Sequence, residues 1–114
     1  MKVMISQPMC GKSNEQIKSE RKGTIEKLNK MHIEVVDTIF NFEVNNINNT
    51  PVFYLAKSIE KMADVDAIYF MKNWQMARGC RVERKIAEEY GIKILDTDFL
   101  EQEEKIKRAE LNGC

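Results

Sequence analysis

Two adjoining segments decide the fold: the apolar run AIYFM (Ala67–Met71) and the stretch NWQMARGCRVERKIAEEY (Asn73–Tyr90). The run reads as a β-strand. The second half of the stretch is amphipathic, so Trp74 to Gly79 is the turn from a strand into a helix. Such a turn lies at the carboxyl edge of a parallel sheet, where α/β proteins bind ligands. This stretch holds the chain's one Trp, a glycine, several arginines and a carboxylate, Glu83, early in the helix. The helix runs to about Tyr90 with Val82, Ile86 and Ala87 inward, and Gly91 closes it.

Outward from that stretch the elements alternate. Lys2 to Ser6 is a short apolar strand. Gln7 to Lys12 is a loop marked by Pro8 and Gly11. Ser13 to Gln16 fits a capping box, which opens a helix carrying Ile17, Ile25, Leu28 and Met31 at helical spacing. Gly23 interrupts that helix and reads as a close packing contact. Ile33 to Asp37 is a second strand, and Thr38 to Asn49 a long polar connection anchored by Phe40, Phe42 and Ile47. Its Asn-rich end reads as a surface loop over the site, because Asn side chains compete for backbone hydrogen bonds. Thr50 and Pro51 form an N-cap and first-turn pair. Val52, Leu55, Ala56, Ile59, Met62 and Ala63 are the buried stripe of a second helix. Ile92 to Leu95 is a fourth strand, and Asp98 to Asn112 a charged C-terminal helix.

The order β-α-β-α-β-α-β-α predicts a single α/β domain over 1–114. Its sheet is mostly parallel, with helices on both faces. With strands ordered 2-1-3-4, the loops after the first and third strands, Gln7–Ser13 and Lys72–Gly79, share one crevice.

Bulk composition narrows the function. The chain has 114 residues, with 18 Lys+Arg against 18 Asp+Glu, so no global field recruits nucleic acid or an anionic membrane. No apolar run approaches the ~20 residues of a membrane span. Cys10, Cys80 and Cys114 are isolated, which suits free thiols in a reducing cytoplasm. A single histidine, His32, and no paired cysteines argue against a dedicated metal site, and no cofactor is implied. His32 precedes the second strand, at the opposite edge from Cys10 and Cys80.

In the first loop, Gly11, Lys12 and the helix start at Ser13 offer amides and charge to an anion, although an ordinary strand-to-helix turn accounts for them equally well. Glu83 could act as nucleophile or stabilise a cationic, oxocarbenium-like centre; its plain alternative is a solvated helical Glu. Arg78 and Arg81 could hold a phosphate or serve surface solvation, and Arg84 could pair with Glu88. Trp74 offers a stacking face or a pocket cover, and equally a core aromatic or an oligomer contact. Met9, Met62, Met71 and Met76 read as packing residues, and Asp66 as structural.

The segments MISQPMCG (Met4–Gly11) and DAIYFMKNWQMARGCRVE (Asp66–Glu83) resemble small phage and prophage proteins of unassigned function. Those in turn are similar to the nucleoside 2-deoxyribosyltransferase superfamily, which includes deoxynucleoside 5′-monophosphate N-glycosidases. The resemblance spans Met1 to about Leu95. It implies a flavodoxin-like sheet, a pocket for a nucleoside or nucleotide, and a homo-oligomer with shared sites. Glu83, four residues after Gly79, matches the nucleophile. Ser6, Gln7, Pro8, Met9 and Gly11 match the segment touching base and sugar, and Lys12, Trp74, Arg78 and Gly79 join them as candidate binding residues. Two positions depart: Ala77 stands where the enzymes carry Asp or Ser, and Ser58 where they place an Asp. The expectations are N-glycosidic cleavage or deoxyribosyl transfer, or a nucleotide-binding module without turnover. An assembly protein using Trp74 and the C-terminal helix is a third.

Overall fold

The computed structural model describes residues 1–36 and 46–96. The expected C-terminal helix, Asp98 to Asn112, lies outside the described residues, as do Asp37, Phe40, Phe42 and Cys114. Four strands form one parallel sheet: β1 (Lys2–Ser6), β2 (Glu34–Val36), β3 (Ala67–Phe70) and β4 (Lys93–Leu95). Their order is β2-β1-β3-β4, the flavodoxin-like arrangement, with the reversal of direction between β1 and β3. Val3 pairs with Ala67 and Ser6 with Phe70 in the central ladder. At its foot Asp66 accepts a hydrogen bond from the Lys2 amide at 2.7 Å, which gives that carboxylate a structural role.

Strand alternation divides the core into two layers. Val3, Ile5, Ala67, Tyr69 and Leu95 face one way and pack with Leu28, Ile25 and Met31 of the first helix segment. Met4, Ile68 and Phe70 face the other way and meet Met62, Ile59, Ile86 and Ala87. Helix α1 (Asn14–Lys30) therefore covers one face, and α2 (Thr50–Met62) and α3 (Arg78–Glu89) cover the other. The chain moves outward through α1 and back through α2 and α3. Right-handed crossovers in opposite directions require opposite faces.

Local chemistry sets the helix ends. Ser13 caps α1 by accepting the Gln16 amide at 3.1 Å, while the Gln16 side chain turns forward to Glu20 rather than back to the cap. At α2 the cap falls one residue earlier than expected: Asn49, not Thr50, accepts the Val52 amide at 3.1 Å. Past α3 the chain leaves through Gly91 at φ +67°, a left-handed position that favours glycine.

Three packing expectations are corrected. Gly23 is exposed, and a Cβ there would meet nothing within 4 Å, so it marks no close contact. In α2 only the carboxyl half buries its stripe. Met62 is 3% exposed and Ile59 packs on the sheet, whereas Val52 is 56% exposed and Ala56 and Ala63 are also exposed. The first turns of α2 border the cavity at the carboxyl edge of the sheet, so Val52 meets that space rather than a strand. Met9 and Met76 are exposed rather than core, at 43% and 78%; Met62 and Met71 do pack.

Candidate functional site

In a parallel sheet every helix that follows a strand starts at the carboxyl edge. Here the amino ends of α1, α2 and α3 border a single cavity of about 820 Å³ at that edge. Its wall contains Gln7, Met9 and Cys10 from the loop after β1, and Asn14, Ile17 and Lys18 from α1. Asn49, Pro51, Val52, Tyr54, Leu55 and Ser58 come from the start of α2, and Met76 to Cys80, Val82 and Glu83 from the turn into α3. The lining is mostly apolar with a few polar groups, and the volume is that of a small-molecule pocket.

The turn after β3 is built in steps. Asn73 takes a left-handed φ of +69°, which Asn tolerates better than most residues, and Trp74–Met76 form one 3-10 turn. Ala77 is extended and begins α3 with no side-chain cap, so the helix starts one residue ahead of Gly79. Arg81 locks the turn by donating from Nη1 to the Gln75 carbonyl at 2.8 Å.

Glu83 follows at 8% exposure, which overturns the solvated-helix alternative. Ser6, the last residue of β1, points to the α3 face by strand alternation, and its hydroxyl donates to Glu83 Oε1 at 3.5 Å. Burial raises the Glu83 pKa from 4.5 to about 7, with the Ser6 hydroxyl pulling the other way. One helical turn earlier, burial pushes the Cys80 thiol up to about 11, opposed by Ser6 and reinforced by the charge of Glu83. The wall thus holds a carboxyl that exchanges its proton near neutrality beside a thiol that keeps its own.

The other expected residues divide. Gln7, Met9, Ser58, Ala77, Arg78 and Gly79 are brought to the cavity wall. Lys12 instead pairs with Glu20 at 2.8 Å. Gly11 supplies the turn, at φ +75°. Pro8 is buried beneath the loop and outside the lining. Trp74 packs edge-on against Phe70 (5.7 Å between centroids) and carries the Arg84 guanidinium 4.6 Å above its ring. That is the core-aromatic alternative. Arg84 also reaches Glu88 at 3.3 Å, the expected local pair.

Of α2, sequence reasoning placed only Ser58 at the site and missed Pro51, Val52, Tyr54 and Leu55. The signal was present in the topology, since α2 must also begin at the carboxyl edge. Apolar residues in its first turns then line the crevice instead of the sheet. Cys80 and Val82 were likewise read as a free thiol and a core residue, yet both face the cavity.

A family described as "Domain of unknown function (DUF4406)" matches residues 1–96. The chain belongs to this family. The matched DUF4406 region contains the four strands, the three α-helices and every residue of the cavity wall found among the described residues. No curated protein and no solved structure matches the chain. Among the described residues, no helix is long and apolar enough to cross a membrane, and no three His, Cys, Asp or Glu side chains cluster to hold a metal ion.

Proposed function

We propose that this protein binds a deoxynucleoside or its 5′-monophosphate in the carboxyl-edge cavity and cleaves or transfers across the N-glycosidic bond, with Glu83 as nucleophile. One observation carries the reading: a buried carboxyl, hydrogen-bonded to Ser6, forms part of the wall of a cavity of about 820 Å³. Cleavage of a sugar–base bond develops positive charge at the anomeric carbon. A desolvated carboxylate stabilises that charge and can form a glycosyl–enzyme bond, which water or a second base then breaks. Half-ionised near pH 7, Glu83 supplies its anionic form at neutral pH. The resemblance of Met4–Gly11 and Asp66–Glu83 to the nucleoside 2-deoxyribosyltransferase superfamily supports the same assignment.

The test is incubation with a panel of deoxynucleosides and monophosphates, followed by chromatography for free base. Base release that disappears in Glu83→Ala supports the reading. No release from any substrate, or release unchanged in the variant, overturns it.

A second reading, a nucleotide-binding module without turnover, is favoured by Ala77 and Ser58. Both line the cavity where the resembled enzymes carry acidic or hydroxyl groups and an Asp, respectively. Calorimetry showing nucleotide binding without base release would select it.

A further inference from the structure

We infer that Ser6 is a positioning residue for Glu83: from the end of β1 its hydroxyl holds Oε1 of the carboxylate and favours its charged form. The inference rests on the reading of Glu83 as the reacting group, and its test needs no turnover.

The geometry narrows what Ser6 can be doing. It is 1% exposed, on the strand face turned to α3, and joins residues 77 positions apart at 3.5 Å. Among the described residues this is the one hydrogen bond recorded for the Glu83 carboxylate, and it engages Oε1. Oε1 also lies over Gly79, 4.0 Å from where a Cβ would stand. One oxygen is thus engaged by the strand, while Oε2 has no hydrogen bond among the described residues. A carboxylate with two free oxygens would rotate about its last torsion, a broad and soft one; a donor on one of them fixes the plane.

Cys80 is a second buried group beside this site, three residues before Glu83 on the same helix face. A hydroxyl has one proton to donate and can still accept. Ser6 spends that proton on Glu83 Oε1. The donated hydrogen bond favours the charged carboxylate, and burial disfavours it. Ser6 is therefore the element that keeps Glu83 ionisable at neutrality.

The experiment is a pH titration of the full chain carrying carboxyl-labelled glutamate, followed by carbon NMR and assigned with Glu83→Gln. Ser6→Ala should move the Glu83 midpoint upward by about one pH unit, and Ser6→Thr, which keeps the hydroxyl, should return it toward the native value. In the unsubstituted protein the Ser6 Cβ resonance should shift across the same midpoint, and this arm needs no Ser6 variant to fold. An unmoved midpoint in Ser6→Ala, or a Ser6 resonance insensitive to pH, overturns the inference. Where base release is measurable, the acid limb of its kcat/KM profile should move with the NMR midpoint. An absent activity with a shifted midpoint would leave Ser6 in its role and remove the glycosidic reading alone.

Discussion

Lys12 Nζ lies 2.8 Å from Glu20 Oε2, so the cation of the first loop is spent on the helix that follows it. Arg78, by contrast, is exposed on the cavity wall, with Lys18 opposite on α1. Phosphate recognition, if it accompanies nucleoside binding, falls to Arg78. Arg78→Ala should weaken a deoxynucleoside monophosphate by about tenfold, the scale of one charge-assisted hydrogen bond. Lys12→Met should change it less than about twofold, since its charge is already paired. Paired calorimetry with nucleoside and monophosphate checks both; equal losses in the two variants would contradict the assignment.

Glu83 makes stability depend on pH in a defined direction. Its folded pKa is raised, so between about 4.5 and 7 the native state holds a proton that the unfolded chain has released. Stability contributed by the neutral carboxyl is complete below 4.5 and is lost as pH rises through 7. The rise to about 7 corresponds to about 3 kcal/mol. Glu83→Gln should therefore melt with the native protein at pH 4 and well above it at pH 8. Thermal melts across that range test the sign, and a variant less stable at pH 8 would refute it.

Gly23 sits in the middle of α1 with open space where a side chain would go. Gly23→Ala should stabilise the fold by about 1 kcal/mol through helix propensity, seen as a melting temperature higher by roughly 4 °C or more. A fall would mean that some contact needs the missing side chain.

Two thiols at one cavity should differ sharply in reactivity. Cys10 is exposed, whereas Cys80 is 2% exposed with its thiolate disfavoured by burial. Iodoacetamide at pH 8 should alkylate Cys10 readily and leave Cys80 unmodified until denaturant is added. Peptide mass mapping reads the two sites separately.

The sheet order was legible because β1 and β3 are short apolar runs, each leading through a marked turn into a helix start. Ser13, Pro51 and Gly91 each mark a boundary through a local mechanism that sequence displays. The site was legible where it depended on topology: the loops after β1 and β3 had to adjoin. What sequence hid was the partner of each polar group. Lys12 and Arg78 look alike on paper, and only the path of α1 delivers Glu20 to one of them. Glu83 looks like any helical Glu until Ser6, far away in the chain, covers it from the strand. Periodicity misassigned Val52 because it assumes a sheet beneath every turn, and the first turns of α2 border the cavity instead.

Helix α3 opens at Ala77, which has a methyl group where a capping oxygen would normally stand. The amides of Arg78, Gly79 and Cys80 precede the first intrahelical bond, from Arg81 to Ala77, and so begin the helix without a side-chain acceptor. Position 77 thereby forgoes about 1 kcal/mol that Ser or Asp would contribute there. A capping Ser or Asp introduced there would stabilise the helix start and at once place a polar group on the cavity wall, where Ala77 now presents a methyl. One side chain therefore sets both the strength of this helix start and the polarity of the cavity wall beside it.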